Sequence, residues 1–405
     1  MTMHAAMLVL FWSCFGVIAW VYFGYPLALT CNLFGGPRAK RPTAGAPATG
    51  FHPYISVIVP AHNEEAAIEA KLRNLLDANY PRDRIEILVG SDGSSDCTQE
   101  IVERFRDQGV GLISFPQQRG KSSIQNGLVT VASGSILVFT DADCLLPRNA
   151  LHCLLQHFDD PRVGLVTGGP QYRNAGATPT AANEGLYLRY ETWLRKLESD
   201  RDLLVVASGS LFAIRRSLWR ALEPNQGDDF ALPLRVARAH MCNVFEARAC
   251  PLTDLVQCTP MGMLRLKVRV ISKDFRALLQ NRDLLNPRRH PRLAAALWSH
   301  KLLRWLVPYF LLALFAANIS LLGQPFFQIA LAVQSSFYSL AIAGLVAHER
   351  NRSRLASLPM SFCIVNCAAI LGTLKCVVGR TSGLWEPERV VPERVDPRRS
   401  RVPAD

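Results

Sequence analysis

The stretch "SILVFTDAD" (Ser135–Asp143) decides the fold class of this chain. Apolar residues beginning at Ile136 run into Thr140 and then into two aspartates separated by one alanine. The apolar run predicts a buried strand, and the two aspartates fall where that strand ends. Because like charges held close together repel each other, Asp141 and Asp143 are expected to face a cation.

Strand and helix patterns alternate on both sides of this stretch. Expected strands are Tyr54–Ala61, Arg84–Asp92, Val110–Phe115 and Ser135–Asp143, with helical periodicity in Asn63–Asn79, Ser94–Gly109 and Gly120–Gly134. Such alternation predicts an α/β fold with a Rossmann-like, mostly parallel sheet that carries helices on both faces. Ligands of such sheets bind beyond the carboxyl ends of the strands.

Three polar clusters follow the ends of these strands. The first contains Ala61 and Glu64, the second begins at Asp92, and the third is the pair Asp141 and Asp143. Each cluster alone is typical of a turn, but together they favour a nucleotide site. The sequence has no GxGxxG after the first strand and no GxxxxGK[ST], which disfavours a dinucleotide-binding site and a P-loop. A carboxylate pair suits Mg²⁺ or Mn²⁺, which bind oxygen ligands and clamp a diphosphate.

The composition indicates a membrane protein with a basic surface. Of the 405 residues, 49% are hydrophobic, and the net charge is +12. The excess of basic residues would suit either an anionic partner or the cytoplasmic flanks of membrane helices. Since the basic residues cluster beside apolar segments, we favour the flanks and expect no nucleic-acid partner. The eleven cysteines include no pair with zinc-site spacing and are expected to be reduced thiols.

Four apolar segments are candidates for membrane helices. Ala5–Leu29 is long enough to span a bilayer and lacks the cleavage site of a signal peptide. Leu303–Leu322 and Phe326–Ala347 form a hairpin of two spans. Pro359–Val378 either crosses the membrane or lies at the interface, because a crossing would place the Arg-rich tail outside.

These observations predict six segments. They are an N-terminal transmembrane helix over 1–31, a cytoplasmic linker over 32–50, an α/β domain over 51–258, amphipathic interface helices over 259–302, C-terminal membrane helices over 303–379 and a basic tail over 380–405. The basic linker places the α/β domain on the cytoplasmic side. We therefore expect a multi-pass protein of the plasma (inner) membrane.

The motifs of this chain resemble those of the membrane-bound family 2 glycosyltransferases, which include cellulose, hyaluronan and poly-N-acetylglucosamine synthases. In family order they are "VIVPAHNE" (Val57–Glu64), "SDGSSDCT" (Ser91–Thr98), "RGKSSIQNGL" (Arg119–Leu128), "TDAD" (Thr140–Asp143), "SGSLFAIRRSLW" (Ser208–Trp219) and "GDDFALPLRV" (Gly227–Val236). The likeness covers roughly residues 50 to 310. It implies a GT-A domain flanked by transmembrane helices, and inverting sugar transfer from a nucleotide sugar, with a UDP-sugar as the expected donor.

The resemblance also implies roles for individual residues. The implied donor-binding residues are Ala61, Glu64, Asp92, Lys121, Asp141 and Asp143. Among them, Asp141 and Asp143 hold the metal, Lys121 assists the diphosphate, and Asp92 accepts from a uracil N–H. Asp229 is the implied general base. For its neighbour Asp228, a helix-capping role is preferred over an acceptor or diphosphate contact.

One motif departs from the family pattern. Processive members carry Q-x-x-R-W on an interface helix, whereas the corresponding stretch here is "LRLKVRVISKDF" (Leu264–Phe275). Arg269 can stand for the arginine, but the glutamine and tryptophan are absent. Polymer synthesis, single addition to a lipid-linked acceptor, and synthesis with partner subunits of an export complex therefore stay open. So does a catalytically silent subunit, although intact Asp141, Asp143 and Asp229 argue against it.

Overall fold

The structure of this chain is a computed structural model. It describes residues 3–35, 51–173, 179–224, 226–253, 259–347 and 353–379. Most of the predicted linker over 32–50, all of the basic tail over 380–405 and most of the basic loop over 348–354 lie outside the described residues.

A mixed sheet forms the centre of the α/β domain. The strands are β1 (Ile55–Ala61), β2 (Ile85–Asp92), β3 (Val110–Phe115), β4 (Ile136–Thr140), β5 (Val163–Thr167), β6 (Gln171–Tyr172), β7 (Leu211–Arg215), β8 (Cys242–Phe245) and β9 (Leu252–Thr253). Within the described residues, seven of them form one sheet in the order β3-β2-β1-β4-β7-β5-β8, and β6 pairs with β9. Strand β7 runs antiparallel to β4 and β5, while the other pairings in the large sheet are parallel. The predicted mostly parallel α/β sheet is thus confirmed.

Helices cover the sheet and continue into the apolar segments. They are α1 (Met3–Ala19), α2 (Tyr25–Thr30), α3 (Ile68–Leu76), α4 (Thr98–Glu103), α5 (Lys121–Val131), α6 (Ala150–Leu155), α7 (Pro179–Ser199), α8 (Asp228–Arg238), α9 (Pro260–Gln280), α10 (Pro291–Ala296), α11 (Leu303–Ser320), α12 (Pro325–Val346) and α13 (Arg354–Val377). Helix α3 begins later than predicted, because Asn63 has a left-handed backbone with φ of 52°. The Asn63 side-chain oxygen accepts from the backbone N–H of Ser95 over 2.8 Å, which ties the first turn to the second.

Two apolar cores pack on opposite faces of the sheet. Every residue of β1 is buried, and successive side chains point to opposite faces. Val57 therefore joins a core that includes Leu72 of α3, whereas Ile58 joins a core that includes Ile124 of α5 and Phe230 of α8. Burial on both faces explains why the central strands read as continuous apolar runs.

The turn after β2 lies directly against the loop before α5. Gly93 has φ of +62°, and a Cβ on it would lie 2.8 Å from the backbone nitrogen of Gln118. A residue with a side chain would therefore be strained and would also force the two loops apart. This close approach brings the end of β2 under the N-terminus of α5.

Four helical segments among the described residues are long and apolar enough to cross a membrane. They are Met3–Thr30, Pro291–Ser320, Pro325–Val346 and Arg354–Val377. The first runs from α1 through a π-helical turn at Trp20–Gly24 into α2. These segments confirm the apolar helices predicted at both ends of the chain, and α13 is longer than the sequence pattern indicated.

Helix α9 joins the α/β domain to the C-terminal apolar helices. Its Met263 packs in one apolar cluster with Met360 and Ile364 of α13. Further along, a Cβ on Gly372 would lie 3.0 Å from the Cβ of Ile271, so the two helices approach closely there. The amphipathic character predicted for this segment thus corresponds to one face buried against α13.

A buried polar network anchors the N-terminal helix to the α/β domain. The hydroxyl of Tyr25 donates to Glu198 Oε1 over 2.7 Å, and His300 Nδ1 lies 2.8 Å from the same oxygen. His300 Nε2 lies 3.3 Å from Glu191 Oε2, and Arg304 also pairs with Glu191. Three segments distant in the sequence therefore meet at one set of hydrogen bonds.

Candidate active site

Lys121 connects the loop after β4 to the start of α8. It is the first residue of α5, and its ammonium group donates to Asp141 Oδ1 over 2.7 Å and to the carbonyl of Gly209 over 3.2 Å. The same nitrogen lies 3.6 Å from Asp228 Oδ2. The structure therefore brings Lys121, Asp141 and Asp228 together beyond the carboxyl end of β4, where parallel sheets bind ligands.

Asp92 holds the loop that leads into α5. Its side chain is 1% exposed at the end of β2. Its two oxygens accept from the backbone N–H groups of Arg119 over 2.6 Å and Gly120 over 2.9 Å. These charge-assisted hydrogen bonds position Lys121 at the next residue. A contact between Asp92 and a uracil N–H stays a prediction.

Ala61 and Glu64 lie at the end of β1, apart from the contacts of Lys121. Ala61 is fully buried in an apolar core, and Glu64 is 2% exposed. The backbone N–H of Glu64 donates to Thr98 Oγ1 over 2.7 Å, which holds the first turn against α4. Their predicted lining of a base pocket stays a prediction.

Asp141 and Asp143 are suited to binding a divalent ion together with substrate oxygens. Asp143 is exposed, and desolvation together with the negative charge of Asp141 raises its pKa above the ordinary value. Across the described parts of the chain, no three His, Cys, Asp or Glu side chains converge as a complete metal site. Mg²⁺ is usually held by one or two carboxylates plus phosphates and water, so this pair fits such an ion.

Lys71 lies beneath the aspartate turn and was missed by the sequence analysis. Its side chain is fully buried, and its ammonium group donates to Thr140 Oγ1 and to the carbonyl of Cys144, each over 2.7 Å. Because these two residues flank Asp141 and Asp143, Lys71 fixes both ends of the turn. The signal was a lysine on the apolar face of α3, at helical spacing from Ile68 and Leu75.

The predicted capping role of Asp228 is wrong. Gly227 occupies the N-cap of α8, without a side-chain capping bond, and Asp228 is the first helical residue. Its Oδ2 accepts from Gln125 Nε2 over 2.6 Å and faces Lys121. Its Oδ1 accepts from the backbone N–H of Asp229 over 3.1 Å, so the carboxylate stays at the start of α8 and places a second negative charge beside Lys121.

Asp229 is a half-buried carboxylate in the same cleft. A Cβ on Gly209 would lie 3.6 Å from Lys121 Nζ and 3.9 Å from Asp229 Oδ2, so Gly209 lies between the two. Burial, the charge of Asp274 and the charge of Asp228 raise the pKa of Asp229 to about 7. A carboxylate with that pKa is matched to accepting a proton near neutral pH.

Helix α9 contributes charged residues to the cleft. Arg269 is half-buried, and Lys273 follows one helical turn later. Burial and the positive charge of Arg269 lower the pKa of Lys273, whereas the negative charges of Asp228 and Asp229 act in the opposite direction. Arg269 was among the residues predicted from the sequence, whereas Lys273 was not. The signal for Lys273 was its i+4 spacing from Arg269 on an amphipathic helix.

Comparison with known proteins identifies the domain that carries these residues. Residues 56–222 match the family described as "Glycosyl transferase family 2". The match includes Asp92, Lys121, Asp141 and Asp143, while Asp229 lies just beyond it.

Two curated relatives share sequence with part of the chain. "Probable glycosyltransferase YdaM" of Bacillus subtilis (strain 168) is 31% identical over 199 residues, which cover 45% of this chain and 46% of the relative. "Poly-beta-1,6-N-acetyl-D-glucosamine synthase" of Staphylococcus aureus (strain COL) is 31% identical over 122 residues, covering 30% of this chain and 29% of the relative. Each match thus spans less than half the length of the relative.

A solved structure resembles the fold of nearly the whole chain. The mannosyltransferase PcManGT from Pyrobaculum calidifontis, in complex with GDP-Man and Mn²⁺, superposes with a TM-score of 0.70 at 21% identity. The superposition covers 94% of this chain and 100% of that one. The fold is GT-A-like, and residues 56–222 form a domain that matches glycosyl transferase family 2.

Proposed function

We propose that this chain is an inverting glycosyltransferase, which moves a sugar from a UDP-sugar to a saccharide or lipid-linked acceptor. The observation that carries the proposal is the bridge made by Lys121 between Asp141, which follows β4, and Asp228, which begins α8. This bridge supports a common site for the implied diphosphate residues Lys121 and Asp141 and the implied base Asp229, which directly follows Asp228. The names of the two curated relatives support sugar transfer, and one of them names an N-acetylglucosamine polymer.

Asp229 is the proposed general base. Its raised pKa of about 7 lets it take the proton from an acceptor hydroxyl as the hydroxyl oxygen attacks the anomeric carbon. The new bond forms from that oxygen to the anomeric carbon, while the bond from the carbon to the diphosphate oxygen breaks. The diphosphate leaves with the bonding electron pair, so one displacement inverts the anomeric centre.

The negative charge of the leaving diphosphate requires positive groups in the cleft. Lys121 supplies one, because its ammonium group already lies between two carboxylates and can exchange one of them for a phosphate oxygen. Asp141 and Asp143 would hold Mg²⁺ or Mn²⁺, which neutralises diphosphate charge when bound. Lys273 and Arg269 of α9 add positive charge on the acceptor side.

The donor nucleotide is proposed from the loop architecture and the relatives together. Asp92 holds the amides of the loop before α5, and the proposed uracil contact would use a free lone pair on the same carboxylate. Ala61 and Glu64 would contribute to this base pocket through the turn after β1. The mannosyltransferase with a similar fold was solved with GDP-Man, so a guanosine donor is the alternative that the experiment must separate.

The acceptor is proposed to be reached at the cytoplasmic face of the inner membrane. Four candidate spans and the buried face of α9 support a multi-pass protein whose catalytic domain lies against lipid. The missing glutamine and tryptophan of the Q-x-x-R-W pattern favour single addition to a lipid-linked acceptor as the second candidate. Polymer synthesis with partner subunits would need further membrane helices to form a channel.

The test is a transfer assay on purified membranes with a panel of UDP- and GDP-sugars, with and without Mn²⁺. We expect turnover with one UDP-sugar, its loss on chelation, and its loss in Asp229→Asn. The matched control is Arg73→Met on α3, which breaks an exposed ion pair with Glu69 and should retain turnover. Unchanged turnover in Asp229→Asn would reject the base, and no turnover with any donor would favour a silent subunit. The chain length of the product distinguishes a polymerase from a single-addition enzyme.

A further inference from the structure

A buried ion pair connects α9 to the start of the α11 membrane segment. Lys301 Nζ donates to Asp274 Oδ2 over 3.1 Å, and the two side chains are 15% and 7% exposed. Lys301 lies in the π-helical turn Leu297–Leu302, which leads directly into α11. Burying an ion pair costs desolvation energy that its attraction seldom exceeds, so stability alone gives little reason for it.

The pair lies against the proposed base. A Cβ on Gly227 would lie 3.0 Å from Asp229 Oδ1 and 3.3 Å from Asp274 Oδ1. The two carboxylates therefore close around one glycine, and a larger residue at position 227 would push them apart. This arrangement keeps a negative charge of α9 beside the carboxylate of α8.

The lysine of the pair also reaches the start of α8. Lys301 Nζ lies 4.9 Å from the centre of the Phe230 ring, and Phe230 follows Asp229 directly. It lies 5.6 Å from the Trp305 ring on α11. The two aromatic rings hold the ammonium group in a setting with little water, where charges act on one another more strongly than they do in solvent.

Charged groups from four elements act on Asp229. Asp274 and Asp228 favour its protonated form, whereas Lys301 and Lys121 favour the ionised form. Two more charges contribute: Lys273 and Asp229 attract each other electrostatically, and Arg195 of α7 favours the ionised form of Asp274. The protonation of Asp229 thus depends partly on Asp274 and Lys301, neither of which the family resemblance implied as a site residue.

We infer that Asp274 and Lys301 are positioning residues for Asp229, which hold its carboxylate and set the pH range in which it can accept a proton. The inference rests on the proposed role of Asp229 as the base. Through Lys301, the protonation of the base is tied to the helix that enters the membrane. A shift of that helix would move the ammonium group and change the proton affinity of the catalytic carboxylate.

The experiment compares pH profiles of kcat/KM for wild type, Lys301→Met, Asp274→Asn and the double variant. Loss of Lys301 leaves two facing carboxylates, so the acidic limb should move to higher pH by about one unit. Loss of the Asp274 charge should move it to lower pH. The double variant should return toward wild type. The inference would be overturned if the acidic limb stays at the wild-type pH in both single variants, or if it moves in the same direction in both.

Arg238→Met is the matched control, because it breaks an exposed pair between the end of α8 and Asp283, with an N–O distance of 2.6 Å. Its pH profile should match wild type. If Lys301→Met fails to fold, Asp274→Asn still decides the matter, because it keeps the shape of the side chain. A limb that fails to move to lower pH in that variant overturns the inference.

A second measurement does not need activity. The pH dependence of the thermal midpoint is measured for wild type, Lys301→Met and Asp274→Asn, each with and without the Asp229→Asn substitution. In each case, the change caused by Asp229→Asn reports proton binding at Asp229. The pH at which this change appears should be higher than in wild type for Lys301→Met and lower than in wild type for Asp274→Asn. If wild type transfers no sugar, the proposed function fails, while this measurement still decides whether Asp274 and Lys301 control Asp229.

Discussion

The ammonium group of Lys121 donates to Asp141 Oδ1 over 2.7 Å, although the two residues come from different motifs. The carboxylates of Asp141 and Asp228 hold Lys121. In the proposed reaction, donor binding would exchange one of these carboxylates for a phosphate oxygen at this lysine. That exchange makes Lys121 the most direct test of the donor half of the site.

Lys121→Met should lower the rate of transfer about 100-fold, because a preorganised positive group beside the leaving diphosphate is lost. Initial rates at saturating donor and metal measure the effect. Lys196→Met, an exposed lysine on α7, is the control and should leave the rate unchanged. A Lys121→Met rate equal to that of wild type would contradict the assignment.

Lys71→Met should destabilise the aspartate turn by about 2 kcal/mol, because two charge-assisted hydrogen bonds to Thr140 and Cys144 are removed. Chemical unfolding in detergent measures the loss, and Mn²⁺ titration should show weaker binding. Arg73→Met on the same helix removes an exposed pair with Glu69 and a contact of the guanidinium with the Phe105 ring, and should cost less than about 1 kcal/mol. Equal effects of the two variants would show that Lys71 does not hold the turn.

Transfer should slow as the pH falls below about 7, because Asp229 must be ionised to accept the proton and its pKa is about 7. The acidic limb of kcat/KM should fall about tenfold per pH unit. The profile is measured between the stability limits of the protein, with donor and metal saturating. A flat profile across this range would contradict a general base with that pKa.

Stability should decrease as the pH rises from about 4 to about 7, because the folded protein keeps a proton on Asp229 that the unfolded chain has released. Asp229→Asn removes this contribution, and should raise the thermal midpoint at pH 8 more than at pH 5. Differential scanning fluorimetry in detergent measures both values. An equal change at the two pH values would indicate that burial does not raise the pKa of Asp229.

Tyr25→Phe should weaken the docking of the N-terminal helix by about 1 kcal/mol, since Glu198 loses a buried hydrogen bond from the Tyr25 hydroxyl. The unfolding free energy in detergent measures the effect. Thr30→Ala on the same helix removes only an exposed hydroxyl that bonds to its own turn, and serves as the control. A Tyr25→Phe variant as stable as the control would show that the network does not hold this helix.

The strand ends and most of the cleft could be predicted from local patterns. Apolar runs marked the central strands, and the polar residues after them had to meet at one edge, because parallel strands end on the same side. Asp141, Lys121 and Asp229 were all selected in this way or by resemblance to the family. The family match at residues 56–222 confirms the resemblance.

Other parts of the site depend on contacts between distant segments. Lys71 reads as an ordinary helical lysine until Thr140 and Cys144 are seen to surround its ammonium group. The sequence pattern predicts a helix cap at Asp228, whereas the structure shows its carboxylate accepting a hydrogen bond from Gln125 of α5. Neither contact leaves a periodic signal in the sequence.

The sequence by itself determined the α/β order of elements, the apolar helices at both ends and the carboxylates at the strand ends, because each follows from residues close together in the chain. Only the tertiary structure decided which charges face Asp229, the proposed base. The proton affinity of Asp229 depends on Asp274, Lys301 and Lys121, which reach it from three other elements. Electrostatic energy depends on distance and burial in space, and separation along the chain specifies neither.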